Sequence, residues 1–192
     1  MKPFLLALLF ASSLAGQITQ PTSGASIILF SQTNRVTVNT AGLQTITGTG
    51  AGTVTLPANF FGVPGNTLRF FINGIFSVSS TGTALSVRVF LGATNICLVS
   101  QSPTVSDSNA SFTIDGYLTA NTSGSGGTIA CGGRVDLEQQ TAPFSLSGGL
   151  TTGVSPVTVN TTLTQAFDVQ VSWGTFASGD TLTSVVYVLT SS

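Results

Sequence analysis

Six carboxylates are the side chains of this 192-residue sequence best suited to proton transfer: Asp107, Asp115, Asp136, Glu138, Asp168 and Asp180. A glycosidase needs two carboxyl groups roughly 5–9.5 Å apart. Asp136 and Glu138 are two positions apart, so a strand would place both on one face. Arg134 lies two positions before Asp136 and would lie on the same strand face. This pattern favours a solvent-facing row of charges over a catalytic pair.

Other catalytic chemistries lack their residues. The sequence contains no histidine, and Lys2 is its only lysine. Without histidine there is no Ser-His or Cys-His nucleophile and no histidine-ligated metal centre. A Schiff base or a phosphate-binding lysine would need a lysine in the mature chain, where none is expected. We therefore predict that the protein is not an enzyme and carries no cofactor and no metal.

A carbohydrate-binding surface needs fewer groups, namely an exposed aromatic ring and a few polar side chains. Tyr117 is the best outward-facing candidate on a predicted strand, with Asp115 and Thr119 on the same face. The alternative is a structural tyrosine that points under a loop. The acidic segments at 107–109 and at Asp180 fit calcium ligands or ordinary turns equally well. A cell-surface glycan is thus a candidate partner.

Charge is scarce in this chain. Charged residues make up 6% of the sequence, and the net charge is −1; typical soluble domains have about 25% charged residues. Nucleic-acid binding requires clustered basic residues that replace counterions on phosphates, so this partner class is excluded. The hydrophobic share of 42% allows a sizeable core. So little charge also favours self-association.

The N-terminus has the pattern of a secretory signal. Lys2 precedes an apolar run at 4–11, and small residues at Ser13 and Ala15 allow cleavage after Ala15. The run is too short to span a bilayer, which takes about 20 residues. We predict a signal peptide at 1–15, a polar lead-in segment at 16–33 and one domain at 34–192, secreted or periplasmic after cleavage.

The predicted export bears on the oxidation state of the two cysteines. Cys97 and Cys131 are the only cysteines in the sequence. In an oxidising compartment the simplest prediction is a disulfide between them, with two buried free thiols as the alternative.

Period-2 alternation of apolar residues recurs along the chain. It is clearest at 85–91, 112–118, 167–173 and 185–189, between clusters of Gly, Asn, Ser and Pro. Such alternation indicates strands with one face in a core. The pattern predicts an all-β protein, an antiparallel β-sandwich of jelly-roll type with about ten strands. The pair Gly132-Gly133 within a strand pattern predicts a bulge.

Adjacent phenylalanines interrupt the alternation. Neighbouring strand residues point to opposite faces, so one ring of each pair would leave the core. The alternatives are a turn, a bulge or burial under a loop. Outward rings would form an apolar subunit contact, and the candidates are Phe60, Phe61, Phe70, Phe71 and Phe90.

Several stretches resemble a class of small bacteriophage structural proteins. The resemblance rests on the Pro57-Ala58-Asn59-Phe60 turn, on Gly74-Ile75-Phe76-Ser77, and on the segments 48–56, 65–69, 85–92, 167–175 and 180–183. It runs in order from about residue 34 to the end. It implies a jelly-roll component of tails, fibres or head decorations, with a structural or host-surface-binding role and oligomeric assembly. It implies no catalytic residues.

The predicted signal peptide and cysteine pair depart from that class, because virion proteins assemble in the cytoplasm. We therefore predict a secreted relative that is a structural or surface-adhesion protein and forms a homo-oligomer, for which a trimer is one candidate. A monomeric carbohydrate-binding module and a true phage or prophage virion protein are the alternatives.

Overall fold

The computed structural model describes residues 26–47, 54–79, 83–103, 106–139, 146–149 and 156–192. The predicted signal peptide at 1–15 and most of the predicted lead-in segment lie outside the described residues.

The described residues contain thirteen strands. Their bounds are β1 (Ile27–Gln32), β2 (Val36–Val38), β3 (Gln44–Thr45), β4 (Val54–Leu56), β5 (Thr67–Val78), β6 (Leu85–Leu91), β7 (Thr94–Gln101), β8 (Asp107–Thr122), β9 (Thr128–Glu138), β10 (Leu146–Gly149), β11 (Val157–Thr158), β12 (Gln165–Trp173) and β13 (Thr181–Ser191).

The strands form two antiparallel sheets. Sheet A has the order β1-β13-β5-β8-β9-β10, with β2 beside β13 and β11 beside β9. Sheet B has the order β3-β12-β6-β7, with β4 beside β12. The predicted fold class, an antiparallel β-sandwich of jelly-roll type, is confirmed. The count exceeds ten because β2, β3, β4 and β11 have only two or three residues each, too few to show alternation.

The core lies between the sheets, where the predicted alternation places it. In β12, Phe167, Val169, Val171 and Trp173 are buried. Phe167 meets Phe70 of sheet A with 5.4 Å between ring centroids. Burial of each such side chain contributes roughly 1.5–3 kcal/mol, so contacts of this kind hold the sheets together.

The predicted disulfide is present and links the two sheets. Cys97 lies in β7 of sheet B and Cys131 in β9 of sheet A, with 6.0 Å between their Cα atoms. The bond closes a loop with a sequence separation of 34, which the chain-entropy model makes worth roughly 3–4 kcal/mol.

The domain begins earlier than predicted. Residues 27–32, assigned above to the lead-in segment, form β1 and pair with β13 from Ser191 back to Tyr187. The sandwich therefore includes residue 27 rather than starting at residue 34.

Candidate ligand-binding surface

The outward face of sheet A carries Tyr117 because β8 alternates along its length. Ile114, Gly116 and Leu118 face the core, whereas Asp115 and Tyr117 face solvent. The Tyr117 side chain is 42% exposed. Among the described residues, the tyrosine therefore lies on the open surface of the sheet rather than under a loop.

Register brings three further side chains to Tyr117. Tyr117 pairs with Arg69 of β5, and Asp115 pairs with Phe71 of β5. Arg69 is exposed, Phe71 is 41% exposed and Asp115 is half-buried. These four residues, Arg69, Phe71, Asp115 and Tyr117, form a two-by-two block that we call the Tyr117 face. It presents two aromatic rings, one cation and one anion to solvent.

A glycine on the next strand determines how the Tyr117 ring lies. Gly132 of β9 is opposite Tyr117. A Cβ atom at Gly132 would come within 2.3 Å of Tyr117 Oη and 2.4 Å of Tyr117 Cζ. The ring therefore leans across β9 over the space that a side chain would fill. The predicted bulge at Gly132-Gly133 is wrong, since both residues keep regular register with β8.

The polar side chains of the Tyr117 face lie at the surface of sheet A. Neither the Arg69 guanidinium nor the Asp115 carboxylate makes a side-chain hydrogen bond or an ion pair with a described residue. Arg134, which lies beside Asp115, is engaged instead with Asp136, with 3.0 Å between Nε and Oδ2. One guanidinium and one carboxylate thus flank Tyr117, and neither has a side-chain partner in the part of the chain that the structure describes.

The two carboxylates considered for a glycosidase lie further along the same face. Asp136 is paired with Arg134, and Glu138 accepts a hydrogen bond from the Ser111 hydroxyl. Both side chains lie on the solvent side of β9, and Glu138 is exposed. This arrangement is a row of surface charges and polar groups, as the parity of Arg134 indicated.

Three of the five candidate oligomer-contact residues are buried, so that prediction is wrong for them. Phe60, Phe61 and Phe70 are 4%, 2% and 1% exposed. Phe60 and Phe61 lie in a turn, where strand alternation does not apply, and they pack edge to face. Phe71 is exposed on sheet A, and Phe90 is half-buried on the outward side of sheet B. These two lie on opposite sides of the sandwich.

The acidic residues considered for calcium bond to neighbouring groups of the chain, Asp107 at the start of β8 and Asp180 next to the turn before β13. Asp180 is fully buried, and its carboxylate accepts hydrogen bonds from the Ser79 backbone and hydroxyl, both at 2.8 Å, and from the Ala177 backbone at 2.9 Å. Asp107 accepts one from the Ser108 backbone at 2.9 Å. Within the part of the chain that the structure describes, no group of three metal-ligating side chains occurs.

Asp107 also borders an open depression of about 440 Å³ at one end of the sandwich. Its lining is rich in serine and includes Ser77, Ser79, Ser106 and Ser108. This end of β5 is remote from Arg69, so the depression is separate from the Tyr117 face.

The role of the buried carboxylate of Asp168 was not predicted by any pattern in the sequence. Asp168 of β12 accepts hydrogen bonds from Thr45, from Thr47 at 2.8 Å and from Gln170 Nε2 at 2.7 Å. These contacts hold β3 and Thr47 against β12 within sheet B. Burial raises the pKa of Tyr187 far above its ordinary value, and the charge of Asp168 adds to that shift.

Comparisons with known proteins do not identify a family for this chain. No family model matches the chain, and no curated protein matches it. Among solved structures it is similar to the CBM2 module of the evolved Dit of Lactobacillus casei BL23 phage J-1, with a TM-score of 0.39 and 6% sequence identity. That match covers 86% of this chain and 95% of the module. No helix among the described residues has the length and apolar character that a membrane span requires.

Proposed function

We propose that this protein is a non-enzymatic extracellular adhesion protein that binds a glycan through the Tyr117 face. The observation that carries the proposal is the Tyr117 ring, which leans over Gly132 and remains 42% exposed. A large ring held open to solvent provides the apolar body that a sugar ring can stack against, and its hydroxyl provides a polar tip.

The neighbours of Tyr117 supply the directional contacts that a sugar requires. Arg69 offers hydrogen-bond donors, and Asp115 offers two acceptor oxygens for hydroxyl groups. Neither side chain is hydrogen-bonded or ion-paired with a described residue. Phe71 adds a second exposed ring diagonal to Tyr117, at the roughly 7–8 Å spacing of diagonal positions in a sheet. A glycan of more than one sugar would contact both rings.

An adhesive rather than catalytic role agrees with the residues present. The Tyr117 face lies on an open sheet surface, and the nearby carboxylates Asp136 and Glu138 are already bonded to Arg134 and Ser111. The disulfide fits an oxidising compartment outside the cytoplasm, and it supports the extracellular location.

A glycan array probed with the mature, oxidised protein tests this function. We expect retention on a limited set of glycans, followed by saturable binding of the corresponding free oligosaccharide in calorimetry. Absence of binding across the array, with the protein shown to be folded, would remove the proposal.

A structural, self-associating protein of phage-virion type is the second candidate. The resemblance in sequence supports it, as do the exposed Phe71 on sheet A and the half-buried Phe90 on sheet B. Because these rings lie on opposite sides, association through both would be head to tail, which gives rings such as trimers or open filaments. Light scattering distinguishes these assemblies from a closed dimer or a monomer.

A further inference from the structure

Strand β1 is the edge of sheet A among the described residues. It pairs with β13 on one side, and no described strand lies on the other. The side chains of Ile27 and Ile28 are 40% and 67% exposed. Edge strands present a row of backbone N–H and C=O groups that can pair with another strand.

The sequence of β1 has no charge and no proline that would prevent such pairing. Edge strands are commonly protected by Lys, Pro, charges or bulges. Residues 27–32 contain no charged residue and no proline. One irregularity occurs between Ile28 and Phe30, and regular register with β13 continues from Phe30 to Gln32. Arg35, just beyond the strand, is the nearest charge in sequence.

We propose that β1 pairs antiparallel with β1 of a second copy of this chain, so that two A sheets join edge to edge. A second copy fits because antiparallel pairing of identical strands is self-complementary: each strand supplies the donors and acceptors that the other needs. The two Ile28 side chains would add apolar contact at the junction. Without Lys2 the mature chain has four arginines and six carboxylates, a net charge of −2, which gives only weak repulsion between two copies.

The symmetry of this dimer has a consequence for adhesion, which rests on the proposed function. The two-fold axis that relates antiparallel strands within a sheet is perpendicular to the sheet. Both outward faces of sheet A therefore point the same way, and the dimer presents two Tyr117 faces to one surface. Two linked sites raise retention on a multivalent surface by 10²–10⁴ without any new contact.

Size-exclusion chromatography with light scattering on the mature, oxidised protein tests the dimer, using Ile28→Lys and a matched control. Val63 lies in the turn before β5 and is 60% exposed, so Val63→Lys adds the same charge outside β1. We expect twice the monomer mass for the wild type and for Val63→Lys at micromolar concentration, and the monomer mass for Ile28→Lys. A wild-type monomer, or a dimer unaffected by Ile28→Lys, overturns the proposal.

Hydrogen exchange provides a second measurement that does not depend on a variant. Backbone amides of 27–32 should become more protected as the protein concentration rises through the dimerisation range. Protection that is independent of concentration would mean that another segment of the same chain covers β1, and would contradict the dimer.

Binding measurements separate this proposal from the proposed function. We expect Ile28→Lys to bind a soluble oligosaccharide as the wild type does, but to be retained at least tenfold less on a dense glycan surface. If the protein is a dimer that binds no glycan, the β1 dimer is supported and the proposed function is refuted. If the protein is a monomer that binds glycan, the proposed function is supported and the β1 dimer is refuted.

Discussion

The Tyr117 ring lies over Gly132 of the neighbouring strand, where a methyl group would come within 2.3 Å of the Tyr117 hydroxyl oxygen. The glycine therefore acts as a positioning residue for the ring. In its place, any side chain would push the ring away from β9 and change the surface that a ligand meets.

Substitution of Gly132 should impair binding without unfolding the protein. The atoms that a new Cβ would meet belong to the far end of one exposed side chain, so Gly132→Ala should cost less than about 1 kcal/mol of stability. We expect glycan affinity in calorimetry to fall about tenfold, which corresponds to about 1.4 kcal/mol.

Gly126→Ala is the matched control, because a Cβ atom there would meet nothing within 4 Å. It should bind as the wild type does. Wild-type affinity in Gly132→Ala would show that the position of the ring is irrelevant to binding.

The adjacent residues Phe70 and Phe71 should differ sharply in their contribution to stability. Phe70 is 1% exposed and packs against Phe167, whereas Phe71 is 41% exposed. Truncation of a buried phenylalanine costs roughly 3–5 kcal/mol, and surface changes usually stay within about 0.5 kcal/mol. Urea unfolding of Phe70→Ala and Phe71→Ala should show this contrast. Equal losses in the two variants would mean that the described orientation of β5 is incorrect.

Removal of the disulfide should lower the free energy of unfolding by about 3–4 kcal/mol. The variant Cys97→Ala/Cys131→Ala, compared with the oxidised wild type in guanidinium, measures this loss. The intact oxidised protein should also be two hydrogens lighter than its reduced form. Two free thiols in protein purified without reductant would contradict the linkage of β7 to β9.

Tyr187 should limit stability at alkaline pH. Burial raises its pKa in the folded state, so the stabilisation from the neutral phenol is complete below the unfolded pKa of about 10 and is lost as the pH rises above it. The Tyr187 hydroxyl also has no hydrogen-bond partner among the described residues. Tyr187→Phe should therefore be neutral or slightly stabilising at pH 8.

Urea unfolding of the wild type and Tyr187→Phe at pH 8 and pH 11 measures this effect. The variant should lose less stability between the two pH values than the wild type. An equal loss in both proteins would assign the alkaline sensitivity to other groups.

The long strands could be predicted from the sequence because alternation survives over seven or more residues, as in β6 and β12. The outward position of Tyr117 followed from the same parity. The prediction was wrong for Phe60 and Phe61 because they lie in a turn, where neighbouring side chains do not alternate between two faces. The roles of Gly132 and Arg69 could not be predicted, since they depend on which strands are neighbours and in what register. The hydrogen bonds of Thr45 and Thr47 to Asp168 likewise join residues that are 123 and 121 positions apart.

The most direct measurement compares Tyr117→Ala with Phe176→Ala in calorimetry against a glycan that the wild type binds. Phe176 is a similarly exposed aromatic residue, at 39%, outside the Tyr117 face. Tyr117→Ala should weaken binding at least tenfold, or about 1.4 kcal/mol, while Phe176→Ala should bind as the wild type does. Unchanged affinity in Tyr117→Ala, or equal losses in the two variants, would contradict glycan binding at the Tyr117 face.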